Sequence, residues 1–302
     1  LIASRRGSNN KHAAHTFAVR LFFTTHTSSS TTIYYMYAIT ELTQKINTAV
    51  ENIQYNTEPK NLYDPIRYIL SIGGKRIRPL LMLMGYNLYK DDVDTILNNA
   101  LALETYHNFT LLHDDLMDKS DLRRGNPTVH KKWNENTAIL SGDTMLIIAY
   151  QLFNKGIQNE EAWTAFIEAT LGVCEGQQYD IDFETRNNVT EVEYMEMIRM
   201  KTSLLLGYAL KIGALLGGAD TEDVENLYAF GEKMGLAYQL QDDLLDVYGD
   251  PTKFQKKLGG DIVENKKTFM LINAYLRADD AQKAELDRWV NAQDFDPAEK
   301  IA

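Results

Sequence analysis

An all-α protein is what this chain of 302 residues predicts, on three observations. It has only six prolines, its glycines are scattered, and Ala, Leu, Glu, Gln, Met and Lys, most of them good helix formers, fill long stretches. A hydrophobic fraction of 44% is enough for a sizeable core. No linker rich in Gly, Ser or Pro divides the chain, so a single helical domain is expected.

Periodic apolar runs place the helices at 40–56 and 61–71, then at 78–89, where the pair Gly73-Gly74 breaks the chain and Pro79 opens a helix. A run at 93–118 ends in an aspartate cluster. Helices at 134–154, 159–184, 190–216 and 221–248 follow, with shorter ones at 267–277 and 280–291. The most apolar segments, "ILSGDTMLIIAYQLF" and "LLLGYALKIGALLGG", carry Asp143 and Lys211. They fall short of the roughly 18 to 20 apolar residues of a membrane span and read as buried helices.

Both ends stand apart. Residues 1–40 contain no acid, with Arg5, Arg6, Lys11 and Arg20 among Ser, Thr, Asn and His. Two readings stay open: an organellar transit segment, although no amphipathic period is evident, or sequence lying ahead of a start at Met36. The stretch 1–38 is therefore set apart as a basic tail, disordered or not native. In "FDPAEKIA", Asp296 suits an N-cap, Pro297 the first helical position and Glu299 the acid of a capping box, so a helix begins where the sequence stops, and a missing C-terminal piece is expected.

Charge excludes one class of function. A formal net charge of −11 is unsuited to nucleic acid, whose phosphates are held by an excess of Lys and Arg. Cys174 is the one cysteine, so no disulfide or thiolate metal site forms within the chain, and a reducing, cytoplasmic compartment is expected unless residues 1–38 direct import.

The stretch "LLHDDLMDKSDLRRGNPT", 111–128, crowds four aspartates into eight positions and follows them with two arginines. The pattern Asp-Asp-x-x-Asp occurs twice: Asp114, Asp115 and Asp118, then Asp242, Asp243 and Asp246 in "YQLQDDLLDVYGD". Positions i and i+4 share a helix face, so Asp114 with Asp118, and Asp242 with Asp246, form two-carboxylate edges. One such edge is an ordinary solvated patch, but two at identical spacing suit Mg²⁺, which keeps its waters and binds through a few carboxylates together with substrate phosphates. The pattern is not an EF-hand, lacking alternating acids, a central Gly and a final Glu.

Cations that could meet a phosphate are clustered. "GGKRIRP", 73–79, carries Lys75 and Arg78 beside flexible glycines; Arg123 and Arg124 follow the first aspartates; "MKTS", 200–203, offers Lys201 and Thr202; "KKLGGDIVENKKT" offers Lys257 and Lys266. Arg76, Lys256 and Lys267 read as surface charges. His107, two turns before Asp114 on one face, reads singly as a core residue.

"GGKRIRP", "LLHDDLMDKSDLRRGNPTVH", "MKTS", "AYQLQDDLLDVYGD" and "GGDIVENK", in that order, resemble the trans-isoprenyl diphosphate synthases of the polyprenyl synthetase family, across roughly 40–291. The resemblance implies the isoprenoid synthase fold, a single bundle of long antiparallel helices around a deep central cavity, in a homodimer, with residues 39–302 as the synthase domain. It implies a prenyltransferase that uses two or three Mg²⁺ ions to condense isopentenyl diphosphate with an allylic diphosphate. Asp114, Asp118 and Asp242 would ligate Mg²⁺, with Asp246 counted beside them, and Asp115 and Asp243 in support. Arg123, Lys201, Thr202, Gln239, Lys257 and Lys266 would hold the allylic diphosphate. Gly74, Lys75, Arg78, His107 and Arg124 would hold isopentenyl diphosphate, and Gln177 and Asp180 would assist near the metals.

Product length in this family depends on the cavity floor. Phe109 is five residues before Asp114, about 7.5 Å down the helix, with Tyr106 deeper and Thr110 beside it. The single aromatic and the absence of an insertion within the first aspartate motif resemble synthases of the C20 product, with C15 the alternative. A terpene cyclase, or a non-catalytic subunit of the same fold, is the rival; the repeated aspartates and the isopentenyl grip at Lys75 and Arg78 oppose both.

Overall fold

The computed structural model describes residues 35–250 and 259–302. Most of the basic tail, together with Lys256 and Lys257, lies outside the described residues.

The protein is all-α, as expected. Helix α1 is Ile39–Glu51, α2 Lys60–Ser71, α3 Ile77–Asn87 and α4 Leu97–Met117. A two-stranded hairpin, β1 (Leu122–Arg123) and β2 (Asn126–Pro127), precedes the short α5, Val129–Lys132. The bundle continues with α6 (Glu135–Lys155), α7 (Glu160–Glu184), α8 (Glu191–Ile198), α9 (Leu204–Gly217) and α10 (Thr221–Tyr248). It ends with α11 (Gly260–Val263), α12 (Phe269–Arg277), α13 (Asp280–Val290) and α14 (Pro297–Ile301). No helix among the described residues is long and apolar enough to cross a membrane.

Helix starts follow their capping residues. The side chains of Asn134, Asn159, Thr190, Asp220 and Thr268 accept backbone N–H groups at the starts of α6, α7, α8, α10 and α12, as Asp296 does for α14. Helix α1 stops at Glu51, short of the expected 56, because the Asn52 amide turns back to donate to the Thr48 carbonyl at 2.8 Å. The expected helix over 190–216 is two helices, α8 and α9, joined by a π turn at Arg199–Ser203. That turn holds Lys201 and Thr202, and wide turns of this kind recur at functional sites.

Helix α4 is buried along most of its length and packs chiefly on α6, while α9 lies between α3 and α10. An aromatic cluster ties α4, α6 and α7 together: Phe153 stacks on Phe166 at 4.4 Å, and Tyr106, Tyr150 and Trp163 meet Phe166 edge-on or tilted. Phe166 is fully buried. Phe166→Ala is expected to remove about 3–5 kcal/mol of stability, measured as a lower urea midpoint with an unchanged slope.

Candidate active site

Both aspartate clusters occupy the last turns of their helices. Asp114 and Asp115 lie in the final turn of α4 with Asp118 as its C-cap, and Asp242, Asp243 and Asp246 close α10. Helix C-termini carry partial negative charge, so carboxylates there are electrostatically unfavourable unless cations meet them.

Cations do. Arg123, on β1, grips Asp115 through Nε and Nη2 at 2.6–3.1 Å and stands 3.7 Å from Asp114. The Lys201 ammonium donates to Asp114 at 3.1 Å and to Asp180 of α7 at 2.6 Å. Lys266, between α11 and α12, reaches Asp118 at 3.4 Å.

Two bridges join the clusters. Beside Lys201, the Thr202 hydroxyl donates to Gln239 of α10 at 3.2 Å, and the Gln239 amide donates to Asp243 at 3.0 Å. Near Lys266, the Phe269 N–H is 3.4 Å from Asp243. The Tyr194 hydroxyl also donates to Asp243. Asp246 is 8% exposed and accepts the Asp261 N–H at 3.1 Å, at the start of α11. Asp242 is half-buried on α10, and Gln177 is half-buried on α7, one turn before Asp180.

The charge of the two lysines is sustained by this network. Burial opposes protonation of Lys201 and Lys266, yet Asp114 and Asp180 hold Lys201 above its usual value, and Asp118 and Asp180 lift Lys266 well above its own. Burial raises Asp115, Asp118 and Asp243, outweighing their donors.

A second, basic pocket lies further down α4. Arg124 and Gly125 form the two-residue turn of the hairpin with positive φ at both positions, 51° and 75°, the sign pattern of a type I′ turn. This turns the Arg124 guanidinium onto Gly74, where a Cβ would meet it at 2.6 Å. Arg78 donates to His107 Nε2 at 3.1 Å. A guanidinium can only donate, so Nε2 carries no proton. His107 is held neutral, well below the usual range, by burial and by Arg78, Arg124, Arg123 and Arg76. Burial lowers Arg78 to about 10 against the pull of Glu104, with Arg124 adding to the lowering. Lys75 sits 6.0 Å from the ring centre of Tyr238 on α10.

Two sequence readings need correction. Arg76 is not a surface charge: it is 5% exposed and paired to Glu104 at 2.5 Å. His107 belongs to the basic pocket rather than to the apolar core. Lys267 keeps a partly exposed position, donating to the Asn265 carbonyl at 3.1 Å. Glu104, Asn108, Tyr194 and Tyr238 were not legible as site residues: Glu104, Tyr194 and Tyr238 meet partners distant in sequence, Arg76, Asp243 and Lys75, and Asn108 acts through Glu104.

Beneath Asp114, Phe109 is 8% exposed and packs on Tyr106 at 5.4 Å and on His113 at 4.8 Å. Tyr106 is fully buried and donates to the Thr170 carbonyl at 2.7 Å, while the Thr110 hydroxyl bonds the His107 carbonyl.

The model of the polyprenyl synthetases matches residues 59–302. The chain belongs to the polyprenyl synthetase family. Within this family it is 41% identical over 235 residues to a geranylgeranyl diphosphate synthase of Methanosarcina mazei, covering 76% of this chain and 72% of that one. It is 38% identical over 279 residues to a geranylfarnesyl diphosphate synthase of Natronomonas pharaonis, covering 83% and 82%. Among solved structures, a geranylgeranyl pyrophosphate synthase superposes with a TM-score of 0.83 at 46% identity, over 88% of this chain and 83% of that one. The synthetase of Pyrococcus horikoshii gives 0.80 at 32%, over 87% and 82%. This polyprenyl synthetase has the isoprenoid synthase fold and is a prenyltransferase.

Since unfolded histidine gains a proton near 6.5 while folded His107 resists it, the His107 contribution is full above pH 6.5 and declines as pH falls below it. Wild type is expected to lose stability faster than His107→Asn on acidification from about pH 7 to 5, measured by urea midpoints at each pH.

Proposed function

We propose that this prenyltransferase condenses isopentenyl diphosphate with an allylic diphosphate, head to tail and trans, to geranylgeranyl diphosphate, with Mg²⁺ as cofactor. The observation that carries the reading is the pairing of two bridged aspartate clusters with a separate basic pocket on α4. One region suits a metal-bound diphosphate and the other a second diphosphate.

All-oxygen donors at two helix C-termini fit Mg²⁺. Asp114 and Asp118 would hold it on one side and Asp242 on the other; Asp246, committed to the Asp261 N–H, suits a supporting place. When bound, Mg²⁺ supplies positive charge against the departing diphosphate. Lys201, already charged between Asp114 and Asp180, is pre-organised to take the allylic diphosphate with Arg123, Thr202, Gln239 and Lys266. Lys257 belongs to this set by its motif. Their charge favours cleavage of the allylic C–O bond, after which the isopentenyl double bond attacks the allylic carbon.

Gly74, Lys75, Arg78, His107 and Arg124 hold isopentenyl diphosphate so that its double bond faces that carbon. The proton released afterwards goes to the freed diphosphate, so no side-chain base is required. Incubating the protein with Mg²⁺, labelled isopentenyl diphosphate and C5, C10 or C15 allylic diphosphates is expected to give a C20 diphosphate. A hydrocarbon formed without isopentenyl diphosphate would instead identify a cyclase.

Phe109 sets the floor by this reading, with Tyr106 behind it. Phe109→Ala is expected to shift the main product to C25 or longer, read by chromatography of the dephosphorylated alcohols; an unchanged product removes Phe109 from that role.

A second copy of the chain would cover an apolar face of α6 and α7. On α6, Leu140 and Ile147 are 59% and 58% exposed, and on α7, Ile167 and Leu171 are 40% and 59% exposed. Such a patch is expensive to leave in water. Leu140→Glu with Ile147→Glu is expected to halve the sedimenting mass.

A further inference from the structure

Glu104 has no role in the chemistry described so far, yet it is 4% exposed inside the basic pocket. Its Oε1 accepts from Arg76 Nη1 at 2.5 Å and from the Asn108 amide at 2.9 Å, while the same amide holds the Glu104 carbonyl at 2.8 Å. Arg76 is equally buried and also donates to the Leu70 carbonyl at 2.6 Å. It stands at φ 50°, ψ 36°, as the N-cap of α3, a left-handed conformation that a residue with a Cβ holds only when its surroundings over-determine it.

The sequence around Arg76 makes that conformation consequential. Gly73 and Gly74 also have positive φ, so the chain from 73 to 76 lacks regular backbone pairing that would fix its course. Lys75 and Arg78 flank Arg76 on either side. Anchoring one buried side chain on the rigid helix α4 therefore fixes the flanking cations and the Gly74 backbone against Arg124. The Glu104 carboxylate also favours the charged forms of Arg78 and Arg124, acting as a counter-charge to them.

We propose that Glu104, through Arg76 and steadied by Asn108, is a positioning residue for the isopentenyl diphosphate grip of Gly74, Lys75 and Arg78. This rests on the reading of the basic pocket given above. It differs in sign from a simple counter-charge, because deleting a counter-charge makes the pocket more positive and tightens diphosphate binding, whereas misplacing Lys75 and Arg78 weakens it. It differs from ordinary fold stabilisation because only one of the two substrates is affected.

Steady-state kinetics with each substrate varied in turn, alongside thermal melting, separate these cases. Glu104→Gln is expected to raise KM for isopentenyl diphosphate about tenfold, a loss of about 1.4 kcal/mol, with kcat and KM for the allylic diphosphate within twofold of wild type. Glu104→Asp, which keeps the charge, is expected to recover part of that loss. Asn108→Ala, a milder change, is expected to raise the same KM about threefold and gives the answer should Glu104→Gln fail to fold. A lowered or unchanged KM for isopentenyl diphosphate in a folded variant overturns the proposal. So do changes in kcat and both KM values that move together with the melting temperature. Wild type that condenses no allylic diphosphate with isopentenyl diphosphate would defeat the functional reading itself, an outcome separate from any behaviour of these variants.

Discussion

Negative charge gathered at the C-terminal ends of α4 and α10 is the constraint on which the site depends. Each helix brings three aspartates to the end where its own dipole is already negative. At the end of α4 the surrounding structure answers with Arg123, Lys201 and Lys266, each carried by a different element. The middle aspartates are the most buried and are partnered differently. Asp115 meets a guanidinium bidentately, while Asp243 is held by the neutral donors Tyr194, Gln239 and Phe269 N–H. These inner carboxylates anchor the helix ends, leaving Asp114, Asp118 and Asp242 more accessible.

Helix α4 acts as a ruler between two regions of opposite charge. His107 and Asp114 are seven residues apart, about 10 Å at 1.5 Å per residue, so one straight element sets the distance between the acidic end and the basic pocket. In the proposed reaction that distance separates the two diphosphates while leaving their carbon chains free to meet. The hairpin after α4 serves both regions at once. Arg123 turns toward Asp115, and Arg124, forced into a left-handed conformation by the tight turn, turns toward Gly74.

Much of this was legible in the sequence because it depends on local spacing. The repeated Asp-Asp-x-x-Asp, the Gly73-Gly74 pair before Arg78 and the cap at Asp296 all express rules that act within one or two turns. Residues whose importance comes from a distant partner were hidden. Arg76 looked like a surface charge because its partner, Glu104, is 28 residues away, and Tyr194 is 49 residues from the Asp243 it holds. The π turn was hidden for the same reason, since nothing within "IRMKTSL" departs from an ordinary helical pattern.

What fixes that π turn is close packing on both sides. A Cβ on Gly176 of α7 would collide with the Lys201 backbone nitrogen, and one on Gly235 of α10 would lie 2.5 Å from Ser203 Cα. The Ser203 hydroxyl reaches back to the Ile198 carbonyl at 3.4 Å, spanning the widened turn. Held between two glycine surfaces, the turn sits unusually near both neighbouring helices, and its consecutive side chains diverge. Lys201 is directed to Asp114 and Asp180, and Thr202 to Gln239. A bulkier residue at either glycine would push the backbone away and lengthen both reaches together. The connection between the two acidic helix ends is thus set by the absence of side chains at positions that never touch a carboxylate.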